Sequence, residues 1–158
     1  MIALRRMTQD EYDAWRPASI ASYAAEHVRA GNWGAGEASE QAEKAFDRYL
    51  PSGLDTEGHH VCSIVADGTG ENVGHLWYCV EPAPAGSRLF IADIGIGEPY
   101  RRRGFAREAL RCLEKEGRRL GACGIRLHVF GDNDAARRLY TELGYVETDV
   151  QMVKDLGT

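Results

Sequence analysis

No apolar run in this sequence approaches the ~18 residues that a membrane helix needs. The start, Met-Ile-Ala-Leu-Arg-Arg-Met, lacks the apolar stretch that follows the charges of a secretory signal. Excess positive charge is also missing: 19 Lys and Arg stand against 24 Asp and Glu, a net charge of −5. A nucleic-acid partner is not expected, because phosphate contacts need a basic face. There are 4 cysteines and no CxxC pair, which leaves no zinc or thioredoxin-like signature. Cys62, Cys79, Cys112 and Cys123 read instead as reduced, mostly buried thiols in a cytoplasmic protein. A membrane partner is not expected either.

The length fits one domain over residues 1–158, large enough for a core without staples. Residues 2–7 suggest an edge strand. Thr8 and Glu11 have the spacing of a capping box, and the helix they open is expected to break or kink at Pro17. A second helix is expected from about 37 to 50, with Ala42, Ala45, Phe46, Tyr49 and Leu50 on its apolar side. Strands follow at 60–67, 72–81 and 88–96, with Pro82 interrupting the chain between the last two. A helix over 104–120, a strand over 125–130, a short helix capped by Asp132 or Asn133 and ending at Gly144, and a final strand over 146–153 complete the chain. The order β-αα-βββ-α-β-α-β is that of a mixed α/β (α+β) domain, with antiparallel hairpins first and a parallel crossover later.

The segment Ile91-Ala-Asp-Ile-Gly-Ile-Gly-Glu-Pro-Tyr-Arg-Arg-Arg-Gly-Phe-Ala106 carries the most chemistry. A strand enters a basic loop that opens a helix, and unpaired amides at a helix start favour an anion. Gly104 would allow close approach, and Arg101, Arg102 and Arg103 add charge. A solvated basic turn has the same pattern. GxxxxGK[ST] is absent, and Tyr100 ends the match of Gly95-x-Gly97 to a dinucleotide fingerprint.

Arg101-x-x-Gly104-x-Ala106 resembles the R/Q-x-x-G-x-G/A acetyl-CoA loop of the GNAT N-acetyltransferase superfamily. Its continuation, Asn133-Asp-Ala-Ala-Arg-Arg-Leu-Tyr140-Thr-Glu-Leu-Gly144-Tyr145, is similar to the N-x-x-A-x-x-L-Y-x-x-x-G-F segment of that family, with Tyr145 in place of Phe. Met152-Val-Lys154 also resembles the family's ending. The likeness is close over residues 88–154 and holds only in element order before that. It implies a sheet splayed between the strands at 88–96 and 125–130. Main-chain groups of Ile94 and Ile96 would pair with the cofactor arm, amides of Arg101, Arg102, Arg103, Gly104, Phe105 and Ala106 would hold the pyrophosphate, and Asn133 would touch the arm. The activity implied is acetyl transfer from acetyl-CoA to a primary amine, small molecule or peptide, by direct attack in a ternary complex. A non-catalytic acyl-CoA-binding module on the same fold is the alternative.

Helical spacing alone makes Tyr140 a core tyrosine; the resemblance makes its hydroxyl the acid that protonates the departing thiolate. The acceptor amine, with pKa near ~10, must lose a proton before attack. His128 stands where many members carry Glu and is the first candidate base, with Asp93 second and Glu81 third. His59-His60 reads as a loop pair rather than a metal site. Trp33, Trp77 and Tyr78 read as core residues that could also line an acceptor pocket. The acidic N-terminal helices suit a cationic acceptor but are equally a solvated face. A homodimer is compatible with the pattern.

Overall fold

The computed structural model describes residues 1–157. The chain forms two compact units, one over Met1–His128 and one from Val129 onward.

The first unit is a five-stranded sheet in sequence order. Strands β1 (Ile2–Arg6), β2 (His59–Ala66), β3 (Asn72–Ala83) and β4 (Gly86–Ile96) are antiparallel, and β5 (Ile125–Leu127) joins β4 in parallel. Helices α1 (Gln9–Arg29) and α2 (Ala38–Tyr49) cover one face, and α3 (Phe105–Arg119) lies on the other. Strand alternation sorts the core between these faces. Val61 and Trp77 point to α1 and α2, where they pack with Met7, Tyr12, Trp15 and Phe46. Ile64, Leu76 and Leu89 are fully buried, as are Leu110 and Leu113 of α3.

The capping box forms as expected. Thr8 Oγ1 accepts from the Glu11 amide at 3.2 Å, and Glu11 Oε2 accepts from the Thr8 amide at 2.8 Å. Pro17 does not break α1, which runs on to Arg29. Proline removes one amide donor, but Trp15, Ser19 and Ile20 on either side are all buried, and their packing holds the helix through it. Pro82 likewise lies inside β3 rather than ending it; there β3 pairs with β4 as Pro82 opposite Ser87. His59 and His60 are strand residues, not loop residues. His59 Nδ1 accepts from Trp77 Nε1 at 3.0 Å, and the His60 ring stacks on Tyr78 at 4.8 Å. Of the four thiols only Cys62 is buried, and Cys123 is exposed, so the expectation of mostly buried cysteines fails. Tyr49 is exposed as well, since α2 ends there and only Leu50 turns inward.

The second unit contains α4 (Asp134–Glu142). Asn133 caps it, its Oδ1 accepting from the Ala136 amide at 3.2 Å. The strand expected over 146–153 does not form. Its apolar residues are exposed, and no strand pairs with them among the described residues. An alternating sequence makes a strand only where a second backbone completes the ladder. No helix among the described residues is long and apolar enough to cross a membrane.

Two ion-pair clusters brace the sheet unit. Arg5 holds Glu11 through two bonds of 2.7 and 3.0 Å, and Glu81 receives both Arg88 and Arg126. Bonding to Arg5 lowers the Glu11 carboxyl to about 2, and bonding to Arg126, then Arg88, lowers Glu81 to about 2. A depressed carboxyl stabilises the fold fully above its unfolded pKa, near 4.5, and loses that contribution as pH falls towards about 2. Urea denaturation should therefore show stability falling across this window. Arg126→Ala should flatten the fall, because Glu81 then titrates closer to its unfolded value.

Candidate active site

The site begins with one extra residue in β4. Trp77 pairs with Asp93, yet Tyr78 pairs with Ile91, so Ala92 is bulged out. Before the bulge, Leu89 and Ile91 lie under α3, and the Leu89 amide donates towards the β5 side, to Gly124 O at 3.0 Å. After it, Asp93 shares the face of Trp77, the side of α1 and α2. The Gly97 amide donates to Val73 O at 2.9 Å, so the main chain of Gly95 and Gly97 faces β3. By alternation, Ile94 and Ile96 present their main-chain groups to the opposite edge. Pairing with β5 stops at Ile91 and Leu127, which leaves that edge uncovered by β5. β5 is thus shorter than the 125–130 expected.

β4 leads into a short 3-10 turn (Glu98–Tyr100) and then the arginine loop. Arg101 Nε donates back to the Ile96 carbonyl at 3.1 Å. Arg102 has φ of 60° and Gly104 has φ of 84°, two left-handed positions in three residues. Such alternation turns successive amides inward to form an anion-binding concavity. A Cβ at Gly104 would meet nothing within 4 Å, so glycine is needed for the backbone angle and not for room. No side chain caps α3. The amides that open it, at Phe105 and Ala106, are unclaimed by a cap, and the helix dipole adds to their pull on an anion. Arg103 lies over the Phe105 ring at 5.2 Å.

On the α1 face, Asp93 gathers a polar cluster. Ser19 Oγ of α1 donates to Asp93 Oδ2 at 2.5 Å, and His75 Nε2 of β3 lies 3.0 Å from the same oxygen. The His75 contact is bent, an ion-pair approach rather than a straight hydrogen bond, and its Nε2 is shielded from solvent. The two side chains keep 28% and 29% of their surface, so a ligand can still reach them. Burial pushes the Asp93 carboxyl up, but His75, Ser19 and Trp15 outweigh it and hold the carboxyl below its ordinary value. Gly95 makes this arrangement fit: a Cβ there would stand 2.5 Å from His75 Cε1 and 2.9 Å from Nε2. Trp15 closes the other side with ring centroids 6.1 Å apart.

His128 follows β5 and stands near His27 of α1, whose pKa is lowered first by burial and then by His128. His27 in turn stacks on Trp33 at 4.0 Å. Glu81 is taken up by its two arginines, and Trp77 and Tyr78 are core residues on opposite faces. In the second unit, Tyr140 lies on α4 with its ring 5.6 Å from Tyr145. His75, Ser19 and Trp15 were not singled out from the sequence. The available signal was glycine at 74 and 95, since glycine inside a strand marks a close approach.

The GNAT acetyltransferase family profile matches residues 10–145. The chain belongs to that family. It is 36% identical over 153 residues to YdgE of Bacillus subtilis, an uncharacterised N-acetyltransferase, covering 97% of each chain. It is 38% identical over 155 residues to a second B. subtilis N-acetyltransferase, YycN, covering 98% of this chain and 99% of that one. The crystal structure of YycN superposes with a TM-score of 0.93, covering 100% of both chains. An acetyl transferase structure from Pyrococcus furiosus shares the fold at 23% identity and a TM-score of 0.67. The chain is therefore an acyltransferase of the GNAT type, a family that generally uses acetyl-CoA and acts on amines.

Within this GNAT enzyme, Gly95 and His75 should be coupled. Gly95→Ala should destabilise the fold by about 1–3 kcal/mol, the usual cost of overpacking. A double-mutant cycle read by urea denaturation should return much of that in Gly95→Ala/His75→Ala, because ring atoms are what the new methyl meets.

Proposed function

We propose that this enzyme moves acetyl from acetyl-CoA to a primary amine, a small molecule or a peptide, in the cytoplasm, as one domain over residues 1–158. The observation that carries the reading is the continuity of the uncovered β4 edge with the left-handed, uncapped arginine loop. The first offers main-chain groups to an amide-containing arm, and the second offers amides to a pyrophosphate. Bound there, acetyl-CoA supplies an activated acetyl thioester. Ile94 and Ile96 would hold the arm by main-chain bonds, the amides of residues 101–106 would hold the phosphates, and Asn133 would add a side-chain contact.

Direct attack in a ternary complex is supported by the state of the Cys62 and Cys79 thiols. Burial pushes the Cys62 thiol up to about 11 and also raises Cys79, so neither is a ready nucleophile. Tyr140 is the acid in this reading and protonates the leaving sulfur. His128 and Asp93 are the sequence-derived candidates for receiving the acceptor's proton. Asp93, held below the usual carboxylate range, is better suited to pair with an ammonium than to deprotonate one. That carboxylate supports a cationic amine as acceptor.

Calorimetry with CoA tests the cofactor half. Gly104→Glu should weaken CoA binding at least tenfold, about 1.4 kcal/mol, since it puts bulk and negative charge at the anion site. Unchanged affinity in a folded variant removes the loop from the cofactor site. Thiol release with a panel of amines tests the transfer half. With an amine so identified, Tyr140→Phe should lower kcat by roughly 10²-fold and leave CoA affinity nearly unchanged. Equal turnover would leave Tyr140 a packing residue.

A further inference from the structure

We propose that His75 takes the acceptor's proton, with Asp93 and Ser19 as the positioning residues that hold its ring. The assignment rests on the acetyl-transfer reading above and names a base that the sequence did not.

Four observations place it. His75 is opposite Gly95 in the β3–β4 ladder. Gly95 sits between Ile94 and Ile96, whose main chains face the uncovered edge, so the ring lies across one strand residue from where the thioester would bind. The missing Cβ at Gly95 lets the imidazole lie against β4, and Trp15 confines it from the helix side. Nε2 faces Asp93 Oδ2 at 3.0 Å and has no solvent contact, while Nδ1 carries no protein partner among the described residues. A carboxylate beside one ring nitrogen favours the tautomer that carries its proton there, which leaves the lone pair of the other nitrogen to accept the acceptor's proton. Ser19 completes the chain by binding the same carboxylate oxygen at 2.5 Å.

Several groups are placed around the ring. From β4 come Asp93 and Gly95, from α1 Trp15 and Ser19, and from β2 its ladder partner Ser63. Glu11, paired with Arg5, reaches Ser63 directly and through Asn72, which donates to Glu11 Oε1 at 3.4 Å and to Ser63 Oγ at 3.2 Å. Among the described residues, Asp93 is the charged group in direct contact with the ring.

The protons balance. An alkylammonium nitrogen carries three. One passes to His75 Nδ1 and on to solvent, which frees the lone pair to form the C–N bond as the C–S bond breaks. The leaving thiolate keeps that bond's electron pair and takes a proton from the Tyr140 hydroxyl. The second proton, shed by the nitrogen as it becomes an amide, restores the tyrosine. The third stays on the amide.

The test combines kinetics with a measurement on the resting enzyme. With an identified amine, His75→Gln should lower kcat/KM about 10²-fold at neutral pH. The deficit should shrink as pH rises towards ~10, where the amine sheds its own proton. CoA affinity by calorimetry should stay near wild type. Nitrogen-15 NMR of the unliganded wild type should show His75 as the Nε2–H tautomer, and Asp93→Asn should lose that preference. Parallel pH profiles for wild type and His75→Gln overturn the assignment, as does an Nδ1–H tautomer in wild type, which needs no variant to fold. Loss of the pH-dependent step in His128→Gln but not in His75→Gln also overturns it, in favour of His128. Failure of the wild type to bind CoA or release thiol with any amine sinks the acetyl-transfer reading itself, and this assignment with it.

Discussion

The site depends on a single extra residue. Strand alternation would put Asp93 on the α3 face with Leu89 and Ile91, where a carboxylate would meet a buried apolar wall. The bulge at Ala92 reverses the phase and turns Asp93 towards α1, in line with Trp77. The same reversal exchanges which main-chain groups face the β5 side. Before it those groups are used by β5; after it those of Ile94 and Ile96 face an edge that β5 does not cover. One insertion thus produces both the acidic residue on the helix face and the row of outward peptide groups beside it, of which the Ile96 carbonyl is met by Arg101.

An aromatic wall makes the polar cluster tolerable. Trp15, Phe46 and Trp77 meet at centroid distances between 5.3 and 5.9 Å, and the Asp93 group is set against that wall. A polar network in such surroundings is held by the contacts its members make with one another. Ser19 and His75 converge on one carboxylate oxygen. α1 therefore has two roles: its Trp15 and Ile20 build the core, and its Ser19 reaches past them to the sheet. Pro17 fits within this helix because packing on both sides replaces the bond it removes.

What the sequence disclosed followed chain proximity. The arginine loop, its glycine and the helix it opens lie within six residues, and backbone chemistry alone ties that pattern to an anion. The capping box at Thr8 and Glu11 is local in the same way. His75 was illegible because its meaning comes from Gly95, twenty residues on, and from a register that the bulge shifts. A histidine between Gly74 and Leu76 has no signature of its own. Asp93 was found as a carboxylate near the cofactor segment, but its partners come from α1 and β3. The missing strand at 146–153 shows the converse: alternation is written in the residues, whereas a ladder also needs a neighbour.

The packing of Trp15 has an optical consequence. Its indole stands 6.1 Å from the His75 ring and 5.8 Å from Trp77, centre to centre, and both tryptophans are buried. An imidazolium quenches indole emission far more strongly than a neutral imidazole does. The folded enzyme thus carries an intrinsic fluorophore beside its polar cluster, and its emission should register a change in the charge of that cluster without any attached dye. Trp33, stacked on His27 at 4.0 Å, forms a second such pair of indole and imidazole at the far end of α1. Selective replacement of one tryptophan at a time would separate the two signals.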